Sequence, residues 1–404
     1  MTSKERVQRT FSHQEPDRVP IFEIGFNSPA ASEILGRDAW VGIGGHVRAE
    51  IWNQLRSEGR QREFISKQID DYIDLYRELE LDILPTAVYP ADPPVPMLIE
   101  ENTWRYEDDK TGSWSVYVYE PSSDMYAEID SDLAQEGIPG FERMVDRLET
   151  TPYSRDDYDF TQVDYAVREV GKEMCILGSA DFGFPGASWL ITFLVALKER
   201  PDLVDRFLSV QLERTLFVAE EQLRRGVTLM WGGVDICYGE GPLFSQEMFR
   251  RFFSPRLKAI TDLCHKYNVP YFKHTDGNIR LIEEALLLEC GIDGLHPLEP
   301  EAGMDLTYYK ENYGDRLTLL GNVSCARTLV YGTKEEIEEE TRRVIEIGAP
   351  GGGFVLSSSN TIHSQVPADK YLLMLETAKK YGGYPIKKRS DLRLPALDWQ
   401  ETGN

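Results

Sequence analysis

The sequence predicts a parallel α/β fold, a (β/α)8 TIM barrel carrying an N-terminal helical extension and an inserted β-hairpin. Three observations lead there. Short apolar strand candidates alternate with long amphipathic helical stretches, which implies right-handed crossovers and a parallel sheet. The candidates number eight, which favours closure into a barrel over an open sheet. The chain is 404 residues long, a length that one decorated barrel can use whole.

In chain order, Thr2 to His13 reads as a short helix, with Thr2 or Ser3 as cap and Glu5 a weak capping-box partner. Glu15-Pro-Asp-Arg-Val-Pro20 breaks it, and Ile21 to Phe26 reads as the first strand. A helix over 70–81 follows, with Tyr72, Ile73, Tyr76 and Leu79 at helical spacing, then a strand at 82–86. Thr103 to Tyr119 alternates around Asp108-Asp-Lys-Thr-Gly112, a hairpin signal over 103–120, read as an insertion or cap. From Met174 the alternation is regular. Strands are expected at 174–178, 228–231, 269–272, 291–295, 317–320 and 353–356. Helices at 187–199, 202–225, 245–267, 279–289, 304–312 and 333–347 separate most of them. The run Glu335 to Arg343 reads as a solvated helix face. Residues 1–385 are expected to form one domain, with 386–404 a surface-packed or frayed tail.

Composition narrows the function. A net charge of −24 opposes nucleic-acid or anionic-membrane partners, since phosphate binding needs clustered Lys and Arg. No apolar run approaches a membrane span, and none follows Met1 as a signal peptide would. The five cysteines, at 175, 237, 264, 290 and 325, form no CxxC pair. A reducing cytoplasmic setting is therefore expected.

In a barrel, reactive groups gather just after the strands. Those segments hold three of the six histidines and two of the five cysteines. His274-Thr-Asp276 is the sharpest signal, because residues two apart at a strand end face the same way. An imidazole and a carboxylate so placed can bind a divalent metal or form a hydrogen-bonded pair. Asp235 and Cys237 repeat the spacing one strand earlier, so Cys237 is read both as a third metal ligand beside His274 and Asp276 and as a small buried hydrophobe. Candidate catalytic groups are Asp235, His274, Asp276, Glu299 and His363. Candidate substrate contacts are Asn27, Tyr89, Asp181, Tyr238, His296, Asn322 and Ser358. The glycine-rich Ala349-Pro-Gly-Gly-Gly353 precedes a strand and so reads as a turn on the opposite face.

Several stretches resemble the uroporphyrinogen-decarboxylase superfamily. They are Thr2-Ser-Lys-Glu-Arg-Val with Pro16-Asp-Arg-Val-Pro20, Gly241 to Lys258, His274-Thr-Asp-Gly-Asn278, Pro297 to Asp305, Gly321-Asn-Val323 and Gly351 to His363. The resemblance implies either cofactor-free decarboxylation of a porphyrinogen or methyl transfer from a methylated corrinoid carried by a partner protein to a thiol or folate-type acceptor. It implies zinc for the thiol-acceptor members, held by a His-x-Cys pair and a later Cys. Here Asp276 stands for the first Cys and Ser357 to Ser359 for the second, so a metal site would be harder and richer in oxygen. The decarboxylases carry an Arg-rich loop after the first strand, whereas Gly25-Phe-Asn-Ser28 has no Arg to meet a polyanion. The expectation is thus a methyltransferase with a small-molecule acceptor, a divalent metal such as zinc, a corrinoid-protein partner and a homodimeric state. The alternative is a decarboxylase with Asp235 or His363 as acid.

Overall fold

The structure is a computed structural model that describes residues 1–42, 48–108, 111–185 and 188–387. Part of the expected hairpin turn and the tail beyond residue 387 lie outside the described residues.

Seven parallel strands form one curled sheet in sequential order: β1 (Ile83–Pro85), β2 (Cys175–Ser179), β3 (Leu229–Gly232), β4 (Tyr271–His274), β5 (Gly294–His296), β6 (Thr318–Val323) and β7 (Phe354–Ser358). The strand expected at 21–26 forms only isolated parallel bridges, Ile21 with Leu356 and Phe26 with Ile362. Its backbone nonetheless bonds to both sheet edges. Phe22 N donates to Leu356 O at 2.9 Å, and Asp82 N to Ile21 O at 2.9 Å. Between the two bridges the Tyr76 hydroxyl donates to Glu23 O, and the segment pairs again at Phe26, where Ile362 N donates to Gly25 O at 3.0 Å and Asn27 N to Ile362 O at 2.9 Å.

Alternation along the strands separates two apolar layers. Phe22, Ile24, Ile83, Leu177, Trp231, Phe272, Leu320 and Val355 fill the space enclosed by the sheet. Intervening residues such as Ile176, Met230, Tyr271 and Leu319 pack outward against the helices. The first helix, Ser3–Phe11, sends Val7 into the inner layer. Thr2 caps it in a full capping box with Glu5, a stronger start than the sequence suggested. The helix expected at 70–81 is the C-terminal part of a longer one, Gln61–Glu78. The stretch 245–267 is helical but passes through a π turn at Phe249–Phe253, where three phenylalanines are buried together.

The inserted element is larger than a hairpin. Thr103–Glu107 and Trp114–Glu120 pair antiparallel as expected, but Met97–Glu100 and Met125–Ser131 extend them to four strands. Its 122–124 turn touches the segments that follow the strand ends. Asn27 Nδ2 donates to Ser123 O at 2.7 Å, and Ser364 Oγ to Ser122 O at 3.1 Å. The sheet therefore stands at the rim of the strand C-terminal face. The Gly-rich loop lies at the other end, beside Glu15, as expected.

Under that opposite end sits a charged knot. Asp82 is fully buried; it accepts from Arg6 Nη1 at 2.6 Å, Arg18 Nη1 at 2.7 Å and Ile21 N at 2.8 Å. Removing one partner of such a group leaves buried charge and an unpaired amide. Asp82→Ala should lower unfolding free energy by about 3–5 kcal/mol in urea titration, with the 21–26 segment the first to exchange its amide hydrogens.

Candidate functional site

The strand C-terminal face is built from inward-pointing residues at the ends of neighbouring strands. His274 and His296 are register partners on β4 and β5. Side-by-side residues in parallel strands point the same way, and here their Nδ1 atoms meet at 2.7 Å. Both rings are buried. Burial pulls His274 down to about 3, with the Lys273 charge adding to it, and burial with His274 beside it holds His296 well below the ordinary imidazole value. Two neutral rings sharing one Nδ1···Nδ1 bond need one donor and one acceptor. With His274 as donor, its Nε2 is left as a free lone pair.

That Nε2 faces two carboxylates, Asp235 Oδ1 at 3.4 Å and Asp276 Oδ1 at 3.7 Å. One ligand atom from each of Asp235, His274 and Asp276 lies within 4.8 Å of the others. The loops lock together, because Asp276 N donates to Asp235 Oδ1 at 2.9 Å. Asn360 Nδ2, from beyond β7, donates to Asp276 Oδ2 at 2.7 Å. Asp276 Oδ1 remains buried without a hydrogen-bond partner. Burial, then Asp235 and Glu299, raise the Asp276 carboxyl to about 7. Burial likewise raises Asp235 and Glu299. Glu299 accepts from Gly277 N at 2.7 Å. Gly277 takes φ +81°, and a Cβ there would lie 2.4 Å from Tyr238 O, so the sharp turn after Asp276 requires glycine.

The other sequence candidates fall elsewhere. Cys237, expected as a third ligand, is buried in the apolar layer outside this group, its thiol pushed up to about 12 by burial. Asp181, expected to touch substrate, is paired with the fully buried Lys273 at 2.9 Å. Tyr89 donates to Gln68 Oε1 at 2.5 Å, and its ring lies tilted against Trp52 with centroids 5.3 Å apart. Asn27 holds the inserted sheet. Asn322 Nδ2 donates to Leu298 O at 2.9 Å beside a cavity of about 830 Å³. His363 Nε2 lies 3.1 Å from Cys325 O, and Tyr238 is exposed over the Gly277 turn. Ser358 faces outward and bonds Glu23 through N at 3.0 Å and Oγ at 2.5 Å. Two residues with a part in the site, Asn360 and Lys273, escaped the sequence reading. A lysine in the otherwise apolar Tyr271-Phe272-Lys273 strand was the available signal, since an unpaired buried charge is costly.

The chain belongs to the uroporphyrinogen decarboxylase (URO-D) family, whose model matches residues 137–381, more than half of it. It is 28% identical over 196 residues to the methylcobamide:CoM methyltransferase MtaA of Methanosarcina barkeri, covering 46% of this chain and 56% of that protein. It is 24% identical over 253 residues to the uroporphyrinogen decarboxylase of Alkalilimnicola ehrlichii, covering 57% and 64%. The chain thus spans between about half and two thirds of these curated relatives. A solved methyltransferase from Methanosarcina mazei shares the fold, with TM-score 0.62 and 20% identity over 94% of this chain and 99% of that one. No helix among the described residues is long and apolar enough to cross a membrane.

The buried Glu23 makes a pH prediction. Burial raises its carboxyl from 4.5 to about 8, against the lowering effect of its Ser358 bonds. The folded state then holds a proton that the unfolded chain releases, so stability falls as pH rises from about 4.5 to about 8. In urea midpoints measured across that range, Glu23→Gln should show a flatter profile than the wild type.

Proposed function

We propose that the chain is a methyltransferase that moves a methyl group from a methylated corrinoid, carried by a partner protein, to a small thiol or folate-type acceptor bound at Asp235, His274 and Asp276. One observation carries this reading: a neutral imidazole Nε2 aimed between an exposed and a half-buried carboxylate, the second of which keeps a buried, unpartnered oxygen. Clustered carboxylates beside a neutral ring are unfavourable unless a cation or a proton joins them. The similarity to MtaA supports methyl transfer as the chemistry. The same reading takes the 21–26 segment as the eighth stave that closes the barrel, through its bonds to both sheet edges.

The donor set fits a divalent cation. His274 would supply Nε2, and Asp235 and Asp276 an oxygen each, an oxygen-rich set that suits zinc or a harder ion. When bound, such a cation acts as a Lewis acid that favours the deprotonated acceptor. The chain's own residues do the rest. His296, accepting from His274 Nδ1, would hold the ring with its Nε2 lone pair toward the cation. Asn360 orients the Asp276 carboxylate. Glu299, whose proton affinity is raised by burial, is the nearby carboxylate placed to take the acceptor's proton.

A second reading has one observation in its favour. The raised pKa values of Asp235 and Asp276 also suit a proton donor in a decarboxylation. Against it, the Gly25 to Ser28 segment offers no arginine to a polycarboxylate, and Asn27 is already committed to Ser123.

His274→Ala should lower bound zinc at least about tenfold, since losing even a supporting group costs about 10–100-fold. Methyl transfer from free methylcobalamin to a thiol should fall with it. Elemental analysis and thiol methylation read the two together; equal metal content in wild type and variant removes His274 as a ligand. Uroporphyrinogen III should yield no coproporphyrinogen, and robust product formation would favour the decarboxylase.

A further inference from the structure

The Asp235 loop follows β3, and its one ladder, Cys237–Tyr238 paired antiparallel with Gly241–Pro242, begins only beyond Asp235. Its backbone is fixed instead by groups outside the ligand set. Asp181 Oδ2 accepts from Val234 N at 2.9 Å, and Lys273 Nζ donates to Val234 O at 2.6 Å. Val234, the residue immediately before Asp235, is thus gripped at both its N–H and its C=O. Lys273 and Asp181 are in turn paired at 2.9 Å, and Lys273 also donates to His274 O at 2.7 Å. On the far side of Asp235, Ile236 N donates to Thr275 Oγ1 at 3.0 Å. One ammonium group therefore ties the Asp235 loop to the end of the strand that carries His274. The approach is close: a Cβ on Gly232 would lie 2.7 Å from Asp181 Oδ2. Glycine there leaves room for the carboxylate.

From this geometry we propose that the buried Asp181–Lys273 pair is a positioning device that sets the spacing of Asp235 and His274. Neither residue is itself a ligand. This rests on the reading of Asp235, His274 and Asp276 as a cation site. Strand alternation explains the design. His274 points into the enclosed space, so Lys273 must point outward, and from there it reaches the neighbouring loop rather than the ligand atoms. A ligand held by a side-chain bond alone would keep its loop's freedom. A ligand whose flanking peptide is clamped loses it before the cation arrives, so less ordering opposes binding. Asp181 serves this pair rather than substrate.

The test uses the full chain, with Co²⁺ as the probe, in wild type and Asp181→Asn. The substitution keeps the side chain's shape and removes the charge that holds Lys273. Two readings are taken: Co²⁺ affinity with its visible spectrum, and amide exchange across Gly233–Ile236. The proposal expects Co²⁺ affinity to fall about 10–100-fold, as for other groups that support ligands. It also expects a changed ligand-field spectrum and at least tenfold faster exchange in that loop, with β4 and β5 unchanged. Affinity within twofold of wild type overturns it, even if the loop exchanges faster. Should Asp181→Asn fail to fold, the Asp181→Leu/Lys273→Met double variant leaves no charge unpaired and carries the same two readings. If the wild type binds no Co²⁺, the cation reading fails; the clamp then stands or falls on loop exchange alone, with unchanged exchange overturning it.

Discussion

The strand Tyr271–His274 imposes the constraint on which the site depends. Four consecutive side chains alternate between the helix layer and the enclosed space, and each does a different job. Tyr271 packs outward and donates its hydroxyl to Ala180 O at 2.9 Å. Phe272 fills the inner layer. Lys273 reaches sideways to the adjacent loop, and His274 ends the strand facing inward. A one-residue slip in register would exchange the lysine and the histidine and place a charge among the inner phenylalanines. The parallel pairing with β3 and β5 forbids that slip, and so delivers an imidazole to the mouth of the sheet beside a second imidazole.

What gathers around that imidazole is electrostatically unbalanced. Asp235, Asp276 and Glu299 approach one another with burial opposing their ionisation. Lys273, the buried cation nearest in sequence, is used up by Asp181 and three backbone carbonyls. At Asp82, by contrast, two arginines compensate the buried charge. The imbalance at the mouth is the kind expected where a ligand or proton completes the set. The wider frame spends its polar groups on holding this arrangement, and several residues that sequence reasoning gave to substrate are part of that frame.

How far the sequence revealed this can be followed residue by residue. The strands from Cys175 onward were legible because each is a short apolar run flanked by helical periodicity. The 21–26 segment read as a strand because its pattern matches the inner layer, yet it pairs only at its two ends, and hydrophobic pattern alone cannot tell a full strand from two bridges. The hairpin at 103–120 was visible from its alternation. Its outer strands were not, since Met97–Glu100 is exposed on every residue and gives no period. At the site, His274, Asp276 and Asp235 came from spacing at strand ends, a local rule. Asn27, Asp181 and Ser358 satisfy the same rule but are bonded to partners far along the chain, at Ser123, Lys273 and Glu23. Only the three-dimensional structure distinguishes a polar group at a strand end that is free from one already used.

The central claim is a cation held by one imidazole and carboxylate oxygens, with no thiolate. X-ray absorption at the zinc edge of the zinc-loaded protein tests it most directly. The account predicts a shell of nitrogen and oxygen at about 2.0–2.2 Å with the outer-shell scattering of a single imidazole. A sulfur shell at about 2.3 Å, or zinc that does not bind at all, would contradict it.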